Sequence, residues 1–312
     1  MALMIGAEPG PAMAQDCDVS GREGACGVAL GYYRIRKPQG FGPHPTVVYL
    51  YGSTGNSRQA VESSPFIQAF TSRGYAVVIP IALDVEYADG ADSGWHLRHE
   101  RITNARDEIA FLEQVILDAT RRHNIDPNRL LMSGQSRGGF LTWEIACHRP
   151  DMAQAFAPHA AGYLGPMPRR CSGPARMLHT HGRRDRIVPL DPDRPIVSGG
   201  ARMTPLEDSL SILASTAGCD ITPVTDRFEG YERKRWSGCA SGANVEYLLH
   251  NGGHGYPGNW VGVVLDWFEK GGAQMPSTQP PANVGPVGGG TAVFRGVNQG
   301  GSAGGRFKRV PQ

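Results

Sequence analysis

No apolar run in this sequence approaches the roughly 18 residues that a bilayer-spanning helix needs, so no integral membrane segment is expected. There is no Cys-x-x-Cys pair and no cysteine–histidine spacing of the kind that holds a metal. No Gly-x-Gly-x-x-Gly or Walker-type loop follows a strand-like run, so no nucleotide cofactor is implied. Acidic residues are absent from Gly271 to Gln312, and large apolar residues nearly so. Such a stretch cannot bury enough surface to offset its ordering entropy, and 271–312 reads as a flexible, Gly/Pro-rich basic tail. Its four basic residues (Arg295, Arg306, Lys308, Arg309) outnumber the formal net charge of +2 for the 312 residues. The remainder is slightly acidic, so no nucleic-acid partner is expected and the basic run reads as a solvated end. Nothing in the sequence points to a particular partner protein.

The N-terminus, MALMIGAEPGPAMAQ, starts apolar and reaches Ala12-Met13-Ala14, a small-x-small pattern like a signal-cleavage site. Residues 1–16 read as a signal-peptide remnant or a disordered N-terminus. Six cysteines follow: Cys17, Cys26, Cys147, Cys171, Cys219 and Cys239. An even count without metal spacing suits disulfides in an oxidising compartment, and the expected location is secreted or periplasmic. The alternative is a set of buried free thiols. Six cysteines admit about 15 pairings. The sequential one (17–26, 147–171, 219–239) closes three short loops and is the expectation.

Between the two ends, 17–270 reads as one α/β domain in which short β-rich runs alternate with helical patterns. TVVYLYG (46–52) is nearly continuous in apolar residues, the mark of a strand buried on both faces. A helical stretch ending at Gly74 and a second buried strand, YAVVIPIA, come next. Apolar residues recur at helical spacing through Asn104–His123. NRLLMSG then predicts a strand and RGGFLTWEIACH a helix. MAQAFAPHAAG, ARMLHTHG and ANVEYLLH predict further strands, while Pro205–Ala217 and NWVGVVLDWFEK predict helices. The expected fold is an open, mostly parallel sheet with helices on both faces, and its chemistry belongs at the carboxyl ends of the strands. No internal repeat is visible.

Gly134-Gln135-Ser136-Arg137-Gly138 carries a Gly-x-Ser-x-Gly pattern, and so does Gly300-Gly301-Ser302-Ala303-Gly304 in the tail. Only Ser136 lies between an apolar strand and an apolar helix, the setting in which a sharp turn presents a nucleophilic serine. A serine hydroxyl needs a base and a group to orient that base. On such a fold these arrive later in the chain, acid before histidine. Asp185 follows the strand ARMLHTHG and is the candidate acid; Asp191 and Asp193 lie in a Pro-rich turn and rank below it. His254 sits in the glycine-rich loop HNGGHGYPG and is preferred as base over His250 at the strand's end. The amides of Arg137 and of Ser53, in the loop after the first buried strand, are the candidate oxyanion donors.

With these pieces in place the chain resembles the α/β-hydrolase serine esterases related to polyhydroxybutyrate depolymerases, feruloyl esterases and acetyl-xylan esterases. The carrying segments are VVYLYGSTGN, NIDPNRLLMSG, GQSRGG, HGRRD and GGHGYPG, within roughly Cys26 to Lys270. The resemblance implies an α/β-hydrolase fold, no metal or cofactor, and hydrolysis of a small-molecule or polymeric ester through an acyl-enzyme on Ser136, with Asp185 and His254. Two positions depart from the pattern: Tyr51 stands where the family usually has histidine, and Tyr256 where it usually has tryptophan. Both bear on the substrate pocket, as does Trp95 in the long loop DSGWHLRHER. Trp143 and Trp236 read as packing residues. His179 and His181 share a strand face without a third ligand, and no metal is expected there. Two rival readings are a serine peptidase of the prolyl-oligopeptidase type, whose large additional domain is not seen in this sequence, and a non-catalytic binding module on a hydrolase fold.

Overall fold

The apolar runs become the inner strands of one sheet, where every side chain is buried only if the strand has neighbours on both edges and cover on both faces. The computed structural model describes residues 17, 25–53, 64–87, 90–240 and 242–271. The segment 1–16, the tail beyond Gly271 and the tail serine Ser302 lie outside the described residues, as does the first part of the helical stretch that ends at Gly74.

The strands, in chain order, are β1 (Cys26–Val28), β2 (Gly31–Arg36), β3 (His44–Leu50), β4 (Ala76–Pro80), β5 (Leu83–Tyr87), β6 (Gly90–Gly94) and β7 (Ile125–Gln135). They continue as β8 (Ala155–His159), β9 (Arg176–Gly182), β10 (Val197–Ser198), β11 (Ala201–Arg202), β12 (Val224–Phe228), β13 (Tyr231–Trp236) and β14 (Asn244–His250). The helices are α1 (Pro65–Thr71), α2 (Glu108–His123), α3 (Arg137–His148), α4 (Leu206–Thr216) and α5 (Trp260–Glu269). Among the described residues, ten strands form the main sheet in the order β1-β2-β4-β3-β7-β8-β9-β14-β13-β12. The six from β4 to β14 run parallel. The two at each edge run antiparallel, and β5–β6 and β10–β11 are separate two-stranded ribbons.

The inner strands and helices α1 to α5 fall where the apolar patterns put them, while a short 3-10 turn at Pro150–Met152 precedes β8 where the pattern reads as strand from Met152. The outer strands do not follow the patterns. β12 (VTDRF) and β13 (YERKRW) are rich in charge, which reads as loop when taken alone. They are nevertheless strands because an edge exposes one face to water and needs few apolar residues. Arg233 and Arg235 both reach Asp226 across the β12–β13 pair, the cross-strand charge pairing that holds a polar edge in register.

Helix α2 begins at an Asp107 side chain that accepts the Ala110 amide (3.0 Å) and ends at Asn124 in the left-handed conformation, both ordinary helix caps. Disulfides join Cys17 to Cys26, Cys147 to Cys171 and Cys219 to Cys239. The latter two close loops of 24 and 20 residues, each worth about 3 kcal/mol by loop entropy. No described helix is long and apolar enough to cross a membrane.

The register of the parallel strands is what assembles a site. Leu50 pairs with Gly134, Gln135 with His159, His159 with Thr180, and His250 with Gly182. Five strand ends from distant parts of the chain therefore finish side by side.

Candidate active site

Ser136 stands between the end of β7 and the start of α3, at φ 53° and ψ −121°. A non-glycine residue there is strained, and such strain persists only where surrounding structure enforces it. Its amide donates to the His159 carbonyl (3.0 Å). Serine in this place normally caps its helix, yet the Ser136 hydroxyl makes no cap bond. The side chain is left for other use in a residue only 8% exposed.

Neighbouring glycines make the turn possible. A Cβ on Gly138 would run into the carbonyls of Leu50 and Tyr51, and one on Gly139 would meet the Ala161 Cβ at 2.7 Å. Gly138→Ala is accordingly expected to destabilise the fold by about 3 kcal/mol, the upper end of overpacking costs. That corresponds to a Tm loss of roughly 6–12 °C in a domain of this size, measurable by thermal denaturation. A Tm within 2 °C of the parent would mean that the turn can open to admit the methyl group.

Asp185 lies three residues beyond β9 with its side chain wholly buried. Its Oδ1 accepts the amides of Ile187 and Val188 (2.8 Å each), and its Oδ2 accepts from His254 Nδ1 (2.7 Å). Burial pushes the carboxyl's pKa up, but hydrogen bonds from His181 and His254 outweigh it and hold the group below the ordinary carboxylate range. The loops carrying acid and histidine are laced together along their backbones. Arg183 N donates to His250 O and Arg184 N to Gly252 O (2.9 Å each), while a Cβ on Gly182 would meet the Gly252 carbonyl at 2.6 Å.

The His254 side chain keeps 18% exposure, and its backbone carbonyl accepts from Gln135 Nε2 (2.9 Å). Gln135 therefore ties the histidine loop to the residue preceding Ser136. No hydrogen bond joins Ser136 Oγ directly to His254 among the described residues. Such bonds commonly tighten only when substrate is bound. His250 turns inward: its Nδ1 accepts the Gly252 amide (3.0 Å), and burial lowers its pKa to about 4. Asp191 is exposed and closes its own turn on the Asp193 amide (2.9 Å).

Of the residues read from the sequence as donors, Arg137 heads α3, where the amides of the first turn find no acceptor within the helix. Ser53 follows Gly52, whose added Cβ would lie 3.3 Å from the Ser136 Cβ. The Arg137 guanidinium is fully buried and donates to Trp95 O (2.8 Å) and to Glu100 (3.0 Å). This clamp on the 95–100 loop has no local sequence signature, because its two ends are 37 residues apart.

The three aromatic candidates are engaged with the protein. Trp95 has no exposed surface and donates its indole N–H to Tyr51 O (2.8 Å). The Tyr51 hydroxyl accepts the Ala82 amide (2.9 Å). Tyr256 stacks on His159 and Phe66, with ring centroids 4.3 and 4.7 Å apart, which anchors the loop two residues after His254. Trp143 and Trp236 are buried. Among the described residues the Cys17, Cys26 and His123 side chains have metal-ligand spacing, but both sulfurs there are in a disulfide.

The same architecture occurs in the acetyl xylan esterase from Aspergillus awamori, with a TM-score of 0.54 over 76% of this chain and 93% of that one, at 16% identity. The chain has the α/β-hydrolase fold. At that identity the likeness is one of fold. In sequence, 152 residues are 26% identical to a putative esterase, NocK, of Nocardia uniformis subsp. tsuyamanensis, covering 47% of this chain and 42% of that protein. A second segment of 122 residues is 30% identical to poly(3-hydroxyalkanoate) depolymerase C of Paucimonas lemoignei, covering 38% of this chain and 28% of that protein. This chain thus spans less than half the length of either relative. No family model matches it. The esterase resemblance carried by the motifs is the one these relatives bear.

Proposed function

We propose that 17–270 is the catalytic domain of a serine carboxylesterase. The observation that carries this reading is the 2.7 Å bond from His254 Nδ1 to a buried Asp185, in a loop that Gln135 fastens beside the strained turn at Ser136. With Nδ1–H committed to the carboxylate, His254 Nε2 has a lone pair to accept a proton. Ser136 Oγ attacks the ester carbonyl carbon and its proton passes to Nε2. The amides of Arg137 and Ser53 stabilise the oxyanion. Collapse expels the alcohol, which leaves with the proton from His254, and the acyl group stays on Ser136. Water then repeats the sequence at the acyl-enzyme and releases the acid.

Ester rather than amide substrates are favoured by the names of the relatives, a putative esterase and a poly(3-hydroxyalkanoate) depolymerase. A fluorophosphonate probe tests the nucleophile directly: we expect one stoichiometric adduct, located on Ser136 by peptide mass. A protein that stays unlabelled would return the fold to a binding role. Assay of short acyl, feruloyl, acetylated-xylan and polyhydroxybutyrate esters beside dipeptide amides assigns the bond, and faster amide cleavage would favour the peptidase. Three disulfides suit an oxidising compartment, and we propose export from the cytoplasm on that ground.

A further inference from the structure

Two imidazoles face Asp185, those of His254 and His181, yet the esterase reading uses only the first. His181 Nε2 is 2.9 Å from the Val188 carbonyl and 3.5 Å from Asp185 Oδ2, the oxygen that also receives His254. His181 Nδ1 is 3.1 Å from His179 Nε2. His179 Nδ1 in turn accepts from Trp143 Nε1 (3.0 Å). All three side chains of this relay are fully buried.

An indole nitrogen can only donate, and this fixes the direction of the whole row. His179 Nδ1 must carry a lone pair, so its proton is on Nε2 and points at His181. His181 Nδ1 must then accept, and its single proton lies on Nε2, facing Val188 O and Asp185. A second proton on His181 would set N–H against N–H at the His179 contact, and His179 cannot turn over without doing the same to Trp143.

We propose that Trp143, His179 and His181 are positioning residues that hold His181 as a neutral donor to Asp185, so that His254 alone takes up the catalytic proton. This rests on the esterase reading and adds to it a reason why one histidine among several serves as base. The remaining groups facing the cluster do not compete. His159 at the end of β8 and His250 at the end of β14 are both held below the ordinary imidazole range by burial. The Tyr247 phenol, whose ring lies 5.6 Å from that of His179, is pushed above its ordinary range by burial, and Arg183 reaches outward to Glu232.

The test is the pH profile of kcat/KM on a p-nitrophenyl ester, with intact full-length protein. In His181→Leu the carboxylate loses a donor and becomes more basic. It then binds the protonated His254 more strongly, so the acid limb moves to higher pH. We expect a shift of about 0.5 unit or more, a kcat fall of roughly 10- to 100-fold, and KM within about 3-fold of the parent. His181→Gln keeps an N–H donor near the same place and should restore most of the rate. Trp143→Phe keeps His181 but frees it to take a second proton, so its acid limb should steepen, and it serves as the readout if His181→Leu does not fold. An acid limb that matches the parent in either folded variant overturns the proposal. Fluorophosphonate labelling of Ser136 in the same samples separates the two levels. Labelling with an unmoved limb removes the relay alone, whereas a parent protein that does not label removes the esterase reading and the relay with it.

Discussion

Ser136→Ala is expected to lower kcat on a short p-nitrophenyl ester by about 10,000- to 1,000,000-fold, the loss seen when a nucleophile is removed from such a triad. The remaining rate would come from oxyanion donors and binding. The structure also predicts that this loss is not accompanied by unfolding. The Ser136 hydroxyl caps nothing in α3, and the backbone bond from its amide to His159 O is kept by alanine. Alanine has a Cβ as serine does, so the strain at φ 53° is unchanged. Tm should stay within about 2 °C, in line with a substitution that removes no buried contact. Turnover at the parental rate would sink the nucleophile assignment. A collapse of Tm together with activity would leave the labelling experiment to decide it.

Asp185→Asn should cost about 10,000-fold in kcat, for a reason specific to this geometry. The Ile187 and Val188 amides both donate to Oδ1, so the asparagine carbonyl must occupy that place. Its NH2 then takes the position of Oδ2 and faces His254 Nδ1. Two donors cannot share that contact, so His254 moves its proton to Nε2, and the lone pair that would accept from Ser136 is gone. The same NH2 would oppose His181 Nε2–H. A stability loss of about 1–3 kcal/mol, the cost of a buried unsatisfied polar group, should therefore appear in denaturation. Activity within tenfold of the parent would transfer the acid's role elsewhere, with Asp191 and Asp193 the first residues to examine.

The inner frame of the fold and the four loops of the site are legible in the sequence for a local reason. A strand buried on both faces carries mostly apolar side chains or polar ones with a buried partner, and a turn that passes beneath a neighbouring backbone must be glycine. β8 and β9 are buried at every position, and the surroundings of Gly138 and Gly139 leave no room for a side chain. Those requirements act on adjacent residues and leave their mark in adjacent letters. The edge strands β12 and β13 escape because a half-solvated strand obeys a looser rule, and charged residues satisfy it.

Contacts made across the register follow no such rule. Gln135 reaches His254 over 119 positions and His254 reaches Asp185 over 69. Arg137 finds Glu100 and Trp95 under a loop, and Trp95 and Tyr51 turn inward to bond each other. The alternation of His179 and His181 on a strand is visible in the letters, but what they do depends on Trp143 arriving from α3 with a nitrogen that can only donate. The order of residues dictates which chemical groups reach the carboxyl edge of the sheet. Which atom of each group faces which partner is settled by strand register and by loops packed backbone to backbone, since a hydrogen bond is specified by tenths of an ångström and a chain position is not.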